Sequence, residues 1–304
     1  MPAEQRFCDY FAEWMELYKN GAVRPITYQK YVMTLRRLTE IAPQLSLCDL
    51  NKRSYQSVIN KYAETHEKQT VMDFHHHLKS AILDAIDEGL VGTDPTRKVT
   101  IKGNAPTRTK NKFLNQFELQ ALLKELDLNE GINWDLFILL ISKTGLRFAE
   151  ALGLTPKDFD FEERRITVSK TWNYKDVNGG FAPTKNLSSK RTISVDAPLS
   201  EKFSIITQGM ADDVPIFVQG RVFSSTVNKH LQRLCRRAGC PVISIHSLRH
   251  THASLLIFAG VSVASIAQRL GHSSIATTQE TYLHIIRELE NQDNDKIMQY
   301  LTSL

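Results

Sequence analysis

The sequence predicts a mostly α-helical protein of two domains, with a small antiparallel β-sheet in the second. Three observations carry that expectation. The chain has 304 residues, about two domains at ~150 residues each. Apolar residues recur at helical spacing through the first ninety positions and again from about residue 224. Between these regions lie short strand-like stretches around the turn Asn178-Gly179-Gly180.

In the first ninety residues, Phe7, Tyr10, Phe11, Trp14, Met15 and Tyr18 share one helical face, and Tyr28, Tyr31, Val32, Leu35 and Leu38 another. Two more amphipathic segments cover about 55–62 and 71–86, the latter ending near Gly89. This is a four-helix unit over residues 1–95. His75, His76 and His77 lie inside its last helix, where neighbours point about 100° apart and cannot converge on a metal. They are expected at the surface or facing a groove. Asp94-Pro95 breaks the pattern, and the polar, basic residues 96–112 are expected to be an interdomain linker.

The second domain, 113–304, starts with Asn115 and Glu118 at capping-box spacing. A helix is predicted over 133–143, ended by Thr144-Gly145, with a short one through Leu152. Strands are predicted over 165–172 and 191–195, which makes 183–191 a mobile hairpin loop. Helices follow, including an acidic tail helix near 288–300 with Ile297, Met298 and Leu301.

Composition narrows the function. Hydrophobic residues make up 42% and charged residues 23%, enough to bury a core without staples. The apolar runs 136–141 and 253–261 are far short of the ~18–20 residues of a membrane span. The first residues lack the basic and apolar regions of a signal peptide. Cys8, Cys48, Cys235 and Cys240 have no metal-site spacing and are expected as reduced thiols. Charge is uneven. Residues 1–100 carry 13 basic and 13 acidic side chains, whereas 95–117 carry six bases and no acid. Residues 214–279 contain no Asp or Glu in 66 positions, but seven Lys/Arg and five His. A polyanion is the expected partner.

Four short segments hold candidate chemistry. Arg147 follows Gly145 at a helix start, where its planar fork can meet a phosphate, and Glu150 can hold it by an ion pair. Lys185 on its loop can hand a proton to a leaving oxygen. His246 and Arg249 stand one turn apart and can share a phosphate oxygen. His246 and His250 also have zinc spacing, but the region supplies no carboxylate as third ligand. Tyr282 follows Gly271-His272 among polar neighbours that suit a movable segment. Its phenol, with an ordinary pKa of about 10, needs cationic help to attack at neutral pH.

The order of Arg147, Lys185, His246-x-x-Arg249, Gly271-His272 and Tyr282 resembles the catalytic series of the tyrosine recombinases, the phage integrase family. The stretch HSLRHTHASLLIFAGVSVASIAQRLGHSSIATTQETYLHI is similar to that family's most specific region. The likeness spans the second domain, and the first is similar to the family's core-binding domain. The strand region with PTKNLSSKR resembles integrases of phages and integrative elements more than the Xer-type recombinases that resolve dimers. Many phage integrases carry a further N-terminal arm-binding domain. This chain opens directly on the helical unit, which leaves two readings: a two-domain recombinase, or a chain without its natural start.

The resemblance implies a clamp on duplex DNA and a site-specific recombinase that integrates or excises a mobile element. Tyr282 would form a 3′-phosphotyrosyl bond, with Arg147, Arg249, His246 and His272 on the phosphate and Lys185 as general acid. His246 is also a candidate acceptor of the tyrosine proton. No metal or other cofactor is implied. Lys102, Arg108, Lys110, Lys112, Arg233 and Arg237 are the expected contacts to the DNA backbone. Partners would be attachment-site DNA, three further protomers in a synaptic tetramer, and accessory bending or directionality factors, with no membrane. The setting implied is bacterial cytoplasm, on the nucleoid while DNA is bound. A Xer-like resolvase, a type IB topoisomerase-like relaxing enzyme and a DNA-binding protein without activity remain as alternatives.

Overall fold

The structure, a computed structural model, describes residues 5–105, 113–129, 131–282 and 301–302. They fall into two compact units, Met1–Thr109 and Lys110–Leu304.

The first unit is built on α1 (Phe7–Tyr18), α2 (Pro25–Ile41), α3 (Lys52–Ala63) and α4 (Lys68–Asp87). On α1, Phe7, Phe11, Trp14 and Met15 form the buried stripe that helical spacing requires. Pro25 opens α2, where its missing N–H costs nothing. Asn51 and Ser54 cap α3 reciprocally. Tyr55, Ile59, Leu78 and Ile82 complete the core.

The histidine triplet departs from expectation. His76 is exposed, but His75 is buried, with Nδ1 2.8 Å from the Tyr55 hydroxyl. Nδ1 of His77 lies 2.8 Å from the Thr34 hydroxyl. Because α4 packs on α1, α2 and α3, two of its three adjacent positions turn inward. Part of the expected linker is anchored. Residues 96–105 are stitched to the first unit: the Gln56 amide pairs with both backbone groups of Thr100, and Asn104 bonds the carbonyls of His66 and Glu64. Gly103 permits this close approach, since a Cβ there would lie 2.4 Å from the Lys68 nitrogen. Lys102 is exposed on this strip. Arg108, Lys110 and Lys112 lie outside the described residues.

In the second unit, α5 (Gln116–Lys124) carries the Asn115–Glu118 capping box. Helix α6 (Trp134–Thr144) is buried on nearly every face and sits at the centre of the core. Gly145 ends it at φ +68°, a left-handed conformation that favours glycine. After α7 (Phe148–Leu152) come five short strands. β1 (Phe159–Asp160), β2 (Arg165–Val168) and β5 (Arg191–Ser194) form an antiparallel sheet in the order β1-β2-β5, with Ile166 opposite Ile193. β3 (Lys170–Trp172) and β4 (Phe181–Pro183) form a separate antiparallel pair.

The stretch 165–172, expected as one strand, therefore breaks after Val168. Gly153 explains the break. It lets the β3 backbone lie against the end of α7, where a Cβ would come within 2.8 Å of the Thr171 carbonyl carbon. The segment 183–191 is then not a hairpin loop but a crossover between two sheets, with Thr184 and Ser189 buried.

Helices α8 (Ala197–Ile206), α9 (Ser224–Arg237), α10 (Ile245–Phe258) and α11 (Val263–Leu270) complete the unit, and residues 275–282 are helical. All four cysteines are free thiols. Among the described residues, no helix is long and apolar enough to cross a membrane. The expected tail helix near 288–300 lies outside the described residues, and Leu301 is exposed.

Candidate active site

Two helix ends and one helix face form the site. The carbonyl of Gly145, closing α6, accepts from Nη1 of Arg249 at 2.7 Å, and that of Leu270, closing α11, accepts from Nη2 at 2.7 Å. Arg249, on α10, is thus oriented by backbone alone and is only 3% exposed. Burial and then Arg147 pull its pKa down to about 9, so it stays cationic at neutral pH.

Arg147 caps the N-terminus of α7. Its Nη2 donates to the Gly271 carbonyl at 3.0 Å, and its Nη1 to Glu150 at 2.6 Å and to the Ser189 hydroxyl at 3.3 Å. The ion pair expected between Arg147 and Glu150 is present. Glu150 also accepts from Arg191 Nη2 at 2.9 Å. Burial pushes the Glu150 pKa up, but Arg191 and Arg147 outweigh it and hold the carboxyl below its usual range.

Arg191, absent from the sequence candidates, completes this knot. Its Nε donates to the Arg269 carbonyl at 2.6 Å and its Nη1 to the Ser189 carbonyl at 2.9 Å. A signal existed: it stands two residues before buried Ile193 on β5, so alternation puts a cation on the inward face.

His246, exposed on the first turn of α10, sets its ring edge-on to His250, with centroids 4.9 Å apart. Nδ1 of His272 lies 2.7 Å from the Thr278 hydroxyl. Burial, then Arg249 and Arg147, lower the pKa of both His246 and His272, the latter to about 4. Both imidazoles are therefore neutral at pH 7, each with one N–H to give. His252 is structural. It accepts from Arg269 Nε at 3.0 Å, which leaves Nδ1 to donate to the Ser142 carbonyl, also at 3.0 Å.

Tyr282 corrects two expectations. Its segment was expected to be polar and movable, but Tyr282 is 2% exposed and packs on Ala253, Ile257, Ile266 and Leu270. Thr278, four residues earlier, is buried on the same face. The phenol was expected to be activated by cations. Burial instead raises its pKa to about 12, and Arg249 only moderates the rise. On α10, the Tyr282 hydroxyl meets Nδ1 of His250 at 2.9 Å.

Arg147, His246, Arg249, His272 and Tyr282 thus share one electrostatic neighbourhood. Lys185 is exposed on the crossover. The next residue, Asn186, accepts from the Ser189 hydroxyl at 2.5 Å, and Ser189 in turn accepts from Arg147. The loop of Lys185 is tied to the site in this way. Two expected DNA contacts lie on α9. Arg237 forks onto the Glu125 carboxylate and carbonyl, and Arg233 donates to His230 at 3.1 Å. Among the described residues, no three His, Cys, Asp or Glu side chains converge as metal ligands.

Residues 112–288, more than half of the chain, match the phage integrase family. The chain is 25% identical over 321 residues to an integrase of Staphylococcus phage L54a, covering 94% of this chain and 90% of that protein. It is 24% identical over 312 residues to a XerC-like tyrosine recombinase of Caldanaerobacter subterraneus subsp. tengcongensis, covering 91% of this chain and 79% of that protein. The fold is similar to a Tn1549 transposon integrase solved in complex with a circular intermediate DNA, with TM-score 0.77, 19% identity, and 91% of this chain and 94% of that one covered. It is also similar to a lambda integrase dimer bound to a core site, with TM-score 0.64, 16% identity, and 90% and 75% covered. The chain therefore belongs to the phage integrase family and is a tyrosine-type site-specific DNA recombinase.

Proposed function

We propose that this chain is the integrase of a mobile element, and that Tyr282 attacks the scissile phosphate of an attachment site to form a 3′-phosphotyrosyl link. One observation carries the assignment of roles. Two guanidinium groups, Arg147 and Arg249, are fixed by the carbonyls of Gly145, Leu270 and Gly271 beside two neutral histidines and a tyrosine held by α10.

A phosphodiester under attack gains negative charge on its non-bridging oxygens. Arg147 and Arg249 neutralise that charge where it develops, and His246 and His272 add N–H donors. Lys185 gives the departing 5′-oxygen its proton. The bond energy is kept in the phosphotyrosyl ester, so rejoining needs no ATP. Glu150 holds arginines rather than a metal.

We assign residues 1–95 to core-site binding, 96–112 to the connection between domains and 113–304 to catalysis, with Lys102, Arg108, Lys110, Lys112 and Arg233 against phosphates. Arg237 is a weaker candidate because Glu125 holds it. Exchange of strands needs a second duplex and hence four protomers, and accessory factors would bias direction. The similar integrases solved with DNA support duplex DNA as partner. The XerC-like relative keeps dimer resolution as a second reading with the same chemistry.

The test is a nicked attachment-site duplex incubated with the full chain and resolved on a denaturing gel. A covalent adduct is expected with or without EDTA and absent from Tyr282→Phe. An adduct that persists in Tyr282→Phe overturns the nucleophile, and one abolished by EDTA overturns the metal-free mechanism. A two-duplex assay that gives relaxation without exchange overturns recombination in favour of a topoisomerase.

A further inference from the structure

A tyrosine that attacks phosphorus must lose its proton, and the surroundings of Tyr282 restrict where that proton can go. The ring is buried against Ala253, Ile257, Ile266 and Leu270, so bulk water is a poor acceptor. Glu150, the carboxylate of this cluster, is committed to Arg147 and Arg191. His272 has its Nδ1 on Thr278. His246 sits one turn before His250 on α10, exposed, where an N–H can reach a phosphate oxygen. His250 is half-buried, with Nδ1 2.9 Å from the Tyr282 hydroxyl and ring centroids 5.9 Å apart. With its own proton on Nε2, its Nδ1 accepts from the phenol.

We propose that His250 is the catalytic base that takes the Tyr282 proton as the phosphotyrosyl bond forms, a role that rests on Tyr282 being the nucleophile. The protons balance. In cleavage, the Tyr282 Oη–P bond forms and the P–O5′ bond breaks. His250 takes the phenol proton and Lys185 gives one to O5′. In rejoining, the 5′-hydroxyl attacks phosphorus and hands its proton to Lys185, while His250 returns its proton to the departing Tyr282 oxygen. Each residue ends the cycle as it began. His246 is then left to donate to phosphate throughout, with no need to serve as both donor and base.

The roles separate by chemical bypass. Single-turnover adduct formation is measured with the full chain on the nicked duplex. His250→Ala should slow it by roughly 10²–10⁴, and added imidazole should restore part of the rate. Replacing Tyr282 by difluorotyrosine, whose phenol ionises near neutral pH, should erase most of the defect. A 5′-bridging thiolate, which needs no proton to leave, should not erase it. His250→Asn keeps a hydrogen-bond acceptor for the hydroxyl but cannot hold the proton, and it should be as slow as His250→Ala.

Wild-type rates in His250→Asn would overturn the base. So would a defect that neither imidazole nor difluorotyrosine changes while circular dichroism shows a folded chain, or difluorotyrosine rescue of His246→Ala in place of His250→Ala. Failure of the underlying reading is distinct: the wild-type chain would form no adduct, or Tyr282→Phe would still form one.

Discussion

In the first unit the Tyr55 hydroxyl lies 2.8 Å from Nδ1 of His75, and in the second the Tyr282 hydroxyl lies 2.9 Å from Nδ1 of His250. Both tyrosines are buried, at 0% and 2% exposure. Burial raises both phenol pKa values. The pairs differ in the charge beside them. Asp94 pushes the Tyr55 pKa further up, whereas Arg249 pulls that of Tyr282 down. A carboxylate makes a phenol a lasting donor. A guanidinium lowers the cost of the phenolate and, next to a phosphate, of the transition state. The geometry of a Tyr–His pair is therefore not chemistry by itself; the sign of the adjacent charge decides what it does.

The largest effect expected from this contrast is total. Tyr282→Phe should abolish the covalent adduct, while Tyr55→Phe should leave its rate per folded molecule unchanged. Loss of adduct in both would erase the distinction. Next comes the proton delivered to the other side of phosphorus. Lys185→Ala should slow cleavage of an ordinary phosphodiester by roughly 10²–10⁴ yet spare a 5′-bridging thiolate. Equal loss on both substrates would make Lys185 a phosphate contact, with Lys190 as the acid to test next.

The charges themselves are the third point of attack. Arg249→Ala removes one stabilising donor group and should lower single-turnover cleavage by about 10²–10³. Asp94→Asn, beside Tyr55, should leave cleavage unchanged. A rate loss from Asp94→Asn would mean that the first pair also serves the reaction.

Acid should weaken both units together. Burial lowers His75 and His252 to about 4. The unfolded chain therefore binds protons that the folded chain refuses between about pH 6.5 and pH 4. This stabilisation is complete above pH 6.5 and is lost as pH falls toward 4. Urea titrations at pH 7 and pH 5 should differ by up to about 2 kcal/mol per histidine. No difference would place either ring in water. The smallest effect is on folding by Tyr55→Phe, about 1 kcal/mol from one lost buried hydrogen bond, read as a shift in urea midpoint.

Much of this was legible in the sequence wherever the determining contact is local. Phe7, Phe11 and Trp14 announce α1, Asn115 and Glu118 cap α5, and Gly145 stops α6. Spacing also brought His246 and Arg249 together and joined Glu150 to Arg147. What escaped depends on distant partners. Arg191 is defined by Glu150, 41 residues away, and His250 by Tyr282, 32 residues away. The break in the strand region follows from Gly153 meeting Thr171. His75 looked like a surface residue because nothing in its own helix reveals that Tyr55 lies opposite.

The three carbonyls that hold Arg147 and Arg249 belong to the C-terminal ends of α6 and α11. Such an end carries the negative pole of the helix dipole, about half an elementary charge. Around Arg249 such half-charges are enough to steer the guanidinium and too little to cancel it, whereas Arg147 also leans on the Glu150 carboxylate. Carboxylates in their place would pair fully with the arginines and repel an arriving phosphate. The absence of any acid from residue 214 to 279 then has a local meaning: Arg249 is oriented by dipoles, and its charge is left for the DNA.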